Sequence, residues 1–196
     1  MKVIGLTGPS GAGKTVVAAF FDWPSVNADQ IARRIHRDPV VQKALCDRFG
    51  ADIMGGNGID RTLLAHRAFA NREATDDLNA IMHPRIVEEI ARCLKEQEAL
   101  GAKFCLLDAP LLFEAGCYDL CDTAVAVLAE DDVRRSRIEE RDGITDEQAR
   151  RRMNSQPRED YYLDRCRYVI RNNGDICRLQ QSVKELKKTL EEELGG

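Results

Sequence analysis

The sequence has no apolar run long enough to cross a membrane. Its longer ones, such as AVAVLA at 124–129, are far short of the roughly 20 residues a spanning helix needs. The opening MKVIGLTG leads into glycine and hydroxyl residues where a signal peptide would continue apolar, so the expected compartment is the cytoplasm. No C-x-x-C occurs among the seven cysteines (46, 93, 105, 117, 121, 166 and 177), and the odd number argues against a disulfide framework. They read as reduced thiols, several packed as small apolar groups. Cys117 and Cys121, four apart beside acidic residues, leave a metal or redox pair open. No repeat, low-complexity stretch or Pro/Gly/Ser linker divides the 196 residues, so one domain, with room for an insert, is expected. No basic excess is present either. The net charge of −4 gives no global attraction for nucleic acid, and cations that matter must act locally.

What is present begins at residue 7 with TGPSGAGKT, directly behind the apolar VIGL. Gly8 to Thr15 fits G-x-x-x-x-G-K-[ST], a loop whose backbone N–H groups wrap phosphates while the lysine reaches the β/γ oxygens and the hydroxyl ligates Mg²⁺. An ordinary glycine turn would need neither Lys14 nor Thr15 at those offsets. The pattern makes Gly8, Gly11, Ala12, Gly13, Lys14, Thr15 and Val16 the ATP-binding residues, Thr15 also a metal ligand. From Lys14 the chain turns helical and brings a helix N-terminus to the anion. Lys14 is expected to face solvent before nucleotide arrives.

The order of elements predicts an α/β chain with the P-loop NTPase fold: a parallel sheet flanked by helices, with a helical insert and a lid segment. FCLLD (104–108), TAVAVL (123–128) and RYVI (167–170) are continuous and apolar, as strands covered on both faces should be. The core is expected at about 1–37 and 101–196, the insert at 38–100 and the lid at 131–158. Asp38-Pro39, Asp60 and His83-Pro84 read as helix starts, and Thr145-x-x-Gln148 as a capping box. Ile176, Leu179, Val183, Leu186, Leu190 and Leu194 form the stripe of a last helix.

Three polar features stand where open α/β sheets bind ligands, beyond the carboxyl ends of strands. Asp108 ends FCLLD and either holds Mg²⁺ with Thr15 or serves a turn. Asp29, after the short run SVNA, is either a helix N-cap or a base for an incoming hydroxyl. Arg134, Arg137 and Arg141, at i, i+3 and i+7, form either a solvated face or the cationic face of a lid that excludes water. Arg150, Arg151, Arg152 and Arg158 extend that basic character.

IGLTGPSGAGKT, NADQIARR (27–34), HPRI (83–86), LLDAPLLFE (106–114), RSRIEERDGIT (135–145), RRMNSQ (151–156) and YVIRNNGD (168–175) together resemble the dephospho-coenzyme A kinase family over most of the chain. The resemblance implies ATP with Mg²⁺, a small-molecule acceptor, dephospho-coenzyme A, phosphorylated on its ribose 3′-hydroxyl, and no nucleic-acid or membrane partner. A monomer is favoured. It implies catalytic roles for Asp29 as base, Lys14 and Arg141. It also implies Thr7, His83 and Leu111 in the acceptor site beside Asp29 and Arg141, and Arg137 and Asn172 at ATP. The chain departs from the family pattern at Pro9-Ser10, usually glycine and a branched aliphatic. Thr15 stands where serine is commoner, Asn27 at the first of an expected acidic pair, and the segment before Asp29 is short, with Trp23-Pro24. Kinases of nucleoside monophosphates or sugar acids share the architecture. A guanine-nucleotide switch would need N-K-x-D, and the nearest stretch, RNNGD at 171–175, lacks the lysine.

Overall fold

The computed structural model describes residues 1–56 and 58–195. β1 (Lys2–Thr7) lies at the centre of a five-stranded sheet with β2 (Ser25–Asn27), β5 (Phe104–Asp108), β6 (Thr123–Leu128) and β7 (Tyr168–Arg171), in the order β2-β5-β1-β6-β7. Every pairing is parallel. The strands therefore all end at one edge, and the loop after β1 leaves from the middle of it. Side chains alternate between two cores, as a period of two demands. Val3, Cys105, Leu107, Ala124 and Ala126 pack on one face with Ile31, Ile90 and Leu94. Ile4, Leu6, Leu106, Val125 and Val127 pack on the other with Val17, Phe21, Leu179 and Val183.

The helices follow their caps. α1 (Lys14–Phe21) and α9 (Ile176–Leu194) cover one face; α2 (Ala28–Ile35) and α5 (Arg72–Ala99) pack together across the other. The insert comprises α3 (Pro39–Phe49), a hairpin of β3 (Met54–Gly55) and β4 (Gly58–Ile59), α4 (Arg61–Ala68) and α5. It has its own core, including Val41, Leu45, Ile53, Leu64 and Met82, and Ile35 and Ile86 join that core to the sheet. α6 (Asp131–Asp142), α7 (Asp146–Asn154) and α8 (Glu159–Leu163) follow β6. Asp38 and Asp60 cap α3 and α4 as expected, and the Thr145–Gln148 capping box opens α7. Among the described residues no helix is long and apolar enough to cross a membrane.

Three expectations need correction. His83-Pro84 does not start a helix. α5 begins eleven residues earlier, where the Asn71 side chain accepts from Ala74 N at 2.9 Å, and runs through Pro84. Proline inside a helix costs about 3 kcal/mol. Apolar residues buried on both sides of it (Ala74 and Met82 before, Ile90 and Leu94 after) give the helix reason to continue. β7 is shifted one residue on, to Tyr168–Arg171. Ile176, first in its helix after the Asp175 cap, is exposed while Leu179, Val183 and Leu190 are buried.

The short segment between α1 and β2 is held by aromatic packing. Asp22 takes a left-handed conformation (φ 53°), the only described non-glycine residue to do so. Trp23 then stacks on Phe104 with ring centroids 4.6 Å apart and planes 11° off parallel. Lys187 lies over the indole at 5.4 Å and donates to Phe21 O at 2.6 Å. Pro24 O accepts from Leu106 N, which starts the β2–β5 ladder. Trp23→Ala should therefore cost roughly 3 kcal/mol, read from urea unfolding by circular dichroism. A loss well under 1 kcal/mol would mean that the stack does not hold this turn.

Candidate active site

The loop between β1 and α1 can take its shape only with glycine at its tightest points. Gly8 (φ 141°) has no room for a Cβ, which would fall 2.1 Å from Val127 O; at Gly13 (φ 93°) it would meet Asn172 Nδ2 at 2.2 Å. Side chains behind the loop take up its carbonyls. Asn172 Nδ2 donates to Ala12 O at 2.8 Å, Arg137 to Gly11 O at 3.2 Å, and Arg134 Nε to Ser10 O at 3.1 Å. The N–H groups of Gly11, Gly13, Lys14 and Thr15 have no acceptor among the described residues. A concave run of such donors at a helix N-terminus is an anion cradle.

Lys14 does not stand out into solvent. It is half-buried, folded back to donate to Gly8 O at 2.7 Å. Burial holds its pKa below the usual lysine value despite the opposing pull of Asp108 and Asp29.

The acids are placed by strand register. Asn27, the last residue of β2, lies opposite Asp108, the last of β5. Asn27 Nδ2 donates to Asp108 Oδ2 at 2.9 Å, while Asp108 Oδ1 is buried with no partner among the described residues. Burial raises the Asp108 carboxyl above the ordinary range, with Asp29 adding to that and Lys14 and Asn27 opposing it. Asp29 neither ends the strand nor caps the helix. Asn27 Oδ1 is the cap of α2, accepting from Gln30 N at 2.9 Å, and Asp29 is the second helical residue, exposed within the first turn. Its carboxylate makes no hydrogen bond or ion pair among the described residues and sits at the positive end of α2.

The arginines of α6 form a gradient. Arg134 is buried, paired with Asp131 at 2.9 Å. Arg137 bonds Asn172 O at 3.0 Å and Asn172 Oδ1 at 3.2 Å. The Arg141 side chain is 59% exposed, held by Asp142 at 2.8 Å and touching Ser10 Oγ at 3.4 Å. The basic residues of α7 are balanced locally: Arg150 pairs with Asp146, Arg151 with Glu147 and Arg152 with Asp142. Gln156 reaches back from the end of this segment, its Oε1 accepting from Ser10 N at 3.0 Å and Arg134 at 3.4 Å.

These groups enclose a cavity of ≈ 680 Å³. Of the residues singled out in the sequence, Gly11, Gly13, Lys14 and Thr15 line it from the loop. Asp29 and Asp108 contribute acids, Arg137 and Arg141 cations, and Leu111 an apolar contact. The others lie elsewhere. Thr7 is buried, its hydroxyl donating to Pro110 O at 3.2 Å. Gly8 and Ala12 shape the loop without lining the cavity, and Val16 is exposed outside it. Asn172 is buried beneath the loop, and His83 is half-buried midway along α5. Ser10, Asn27, Pro110 and Gln156 line the cavity and were not singled out as site residues. Ser10 and Asn27 carried a signal, since both depart from the family pattern; Gln156 and Pro110 carried only their place in the shared stretches RRMNSQ and LLDAPLLFE. Asp29 also lines a second cavity, ≈ 420 Å³, that runs into the insert past Arg33, His36, Arg61, Leu64 and Phe69.

The oxygen donors fit a hard cation. Asp108 Oδ1 is a buried carboxylate oxygen with nothing to bind, and the hydroxyl residue Thr15 lines the same cavity. Mg²⁺ is commonly held by one or two carboxylates together with substrate phosphates and water, so no all-protein cage is required.

Comparison with known proteins agrees with this geometry. A family model described as dephospho-CoA kinase (CoaE) matches residues 2–178. The dephospho-CoA kinase of Corynebacterium glutamicum is 40% identical over 192 residues, covering 95% of this chain and 96% of that protein. That of Syntrophotalea carbinolica is 37% identical over 196 residues, covering 97% and 92%. Among solved structures, TT1252 from Thermus thermophilus superposes with a TM-score of 0.81 at 28% identity, over 96% of this chain and 97% of that one. With its fold, its phosphate loop and near-full-length relatives in agreement, this chain belongs to the dephospho-CoA kinase family.

Proposed function

We propose that the chain transfers the γ-phosphoryl group of ATP to the ribose 3′-hydroxyl of dephospho-coenzyme A, yielding coenzyme A and ADP. The observation that carries this reading is the position of Asp29, the one residue among those described that lines both the phosphate-loop cavity and the cavity leading into the insert. The triphosphate would occupy the first. The free N–H groups of the loop would take its oxygens, and Lys14 would exchange Gly8 O for a phosphate oxygen. Arg137, anchored on Asn172, and Arg141 would face the transferring group. Asp108 and Thr15 would hold Mg²⁺, which when bound neutralises charge on the phosphates.

The second cavity suits the rest of the acceptor. Arg33 and Arg61 make no ion pair among the described residues and are placed to meet a diphosphate, while Ala32, Leu64 and Leu78 offer an apolar surface to the remaining chain. The ribose would then lie at the junction. There the Asp29 carboxylate would accept the proton of the 3′-hydroxyl as its oxygen attacks, and the proton would stay on Asp29 until product leaves.

Asp29→Asn should keep ATP affinity, because the loop is untouched. It should cost at most about 1 kcal/mol, the value of an anion in a first helical turn. Turnover should nevertheless fall roughly 10² to 10⁴-fold, the range for a positioned base. Calorimetry with ATP, a thermal melt and a coupled ADP-release assay read these three quantities on one variant, and near wild-type turnover would remove Asp29 from the mechanism. Arg141→Ala should lower turnover by about 10³-fold and leave the melting temperature almost unchanged, since its side chain is mostly in solvent. If it melts the protein and the folded remainder is fully active, Arg141 is structural. Arg61→Ala should raise KM for dephospho-coenzyme A by roughly tenfold with kcat little changed, as loss of one uniform binding contact does. An unchanged KM would take the second cavity out of acceptor binding.

A further inference from the structure

Asn27 is bonded to one acid of the site and caps the helix that carries the other, and its two bonds need opposite ends of one amide. Its nitrogen donates to Asp108 Oδ2 and its oxygen accepts from the backbone of α2, each at 2.9 Å. The orientation follows from chemistry. Turned over, the amide would set oxygen against carboxylate and N–H₂ against N–H, two repulsions in place of two bonds. Capping alone does not call for asparagine, since Ser or Asp would cap about as well. Only an amide of this length adds a donor for the neighbouring strand. Among the described residues that donor is the one hydrogen-bond partner of the Asp108 side chain.

We infer that Asn27 is a positioning residue for phosphoryl transfer: its amide engages one oxygen of Asp108 and leaves the other free for the metal, while the same side chain fixes the start of the helix that carries Asp29. The inference rests on the reading of Asp108 as the metal-side acid. Its physical content is rotational. A carboxylate with no donor swings about its last torsion and can fold either oxygen away; one donor on Oδ2 leaves Oδ1 as the free oxygen. Outer-shell partners of this kind typically contribute 10 to 100-fold to metal affinity or activity.

The test uses the full-length protein, Mg²⁺ as the probe, and ATP binding by calorimetry without acceptor, so that it reads the metal site independently of turnover. Asn27→Ser keeps a capping oxygen and loses the reach to Asp108. It should leave the thermal midpoint and Mg²⁺-free ATP affinity near wild type, raise the Mg²⁺ concentration for half-maximal ATP binding about tenfold, and lower kcat with KM for dephospho-coenzyme A unchanged. Should Asn27→Ser fail to fold, Asn27→Thr, which also caps, is measured in the same way. Asp108→Asn should raise the Mg²⁺ requirement by itself, and adding Asn27→Ser to it should change nothing further, because the effect passes through Asp108. A wild-type Mg²⁺ requirement in Asn27→Ser, or additivity in the double variant, overturns this inference alone. A wild-type requirement in Asp108→Asn overturns the reading beneath it.

Discussion

Strands that all run the same way must all finish at the same edge, and the rest of this molecule depends on that constraint. β1 delivers the phosphate loop there, β5 delivers Asp108 and β2 delivers Asn27. β7 runs on into Asn172, which props the loop from below. None of these residues is near another in sequence. Slipping the β2–β5 pairing by one residue would turn Asn27 to the other face of the sheet and separate the amide from the carboxylate. The turn at Trp23 is therefore part of the site in an energetic sense. By stacking on Phe104 and letting Pro24 pair with Leu106, it fixes the register that the chemistry requires.

The same edge gathers charges that do not satisfy one another. Burial pushes the Lys14 pKa down and the Asp108 pKa up, so both groups are held where their charged forms are costly. They do not relieve this by pairing: Lys14 donates to a loop carbonyl and Asp108 takes an amide. A phosphate beside Lys14 and a cation beside Asp108 would offset both costs. A site arranged in this way would bind the two ligands better together than either alone, and would gain stability on their arrival.

How much of this was legible in the sequence depends on how far each feature acts. The phosphate loop was legible because its spacing is local. So were the strands, which are continuous and apolar, and the caps at Asp38, Asp60 and Thr145. Pro84 misled because a local rule, that proline opens helices, lost to apolar burial on both sides of it. Of the two readings of Asp29 the cap falls away: an acid before a helical pattern can serve as one, yet Asn27, two residues earlier, has the oxygen in the right place. Lys14 lying on its own loop and Gln156 bonding Ser10 across the cavity are products of tertiary packing. No periodicity or spacing encodes them.

The α6 arginines show how one sequence pattern divides into separate jobs. Spacing makes Arg134, Arg137 and Arg141 equivalent, three cations on one helical face. Burial makes them different. Arg134 enters the interior, where an unpaired guanidinium would be prohibitive, and is therefore held by Asp131, Ser10 O and Gln156. Arg137, one turn on, has two bonds to Asn172 and one to the loop, so its planar head is already oriented at the cavity. Arg141, a further turn out, is held among the described residues only by its neighbour Asp142 and a long contact to Ser10 Oγ, both in reach of water. Because exposed pairs of that kind contribute little, Arg141 can exchange its partners for a phosphate at small cost, whereas Arg134 cannot. The helix therefore presents a fixed cation at its buried end and an exchangeable one at its exposed end, without a special sequence at either.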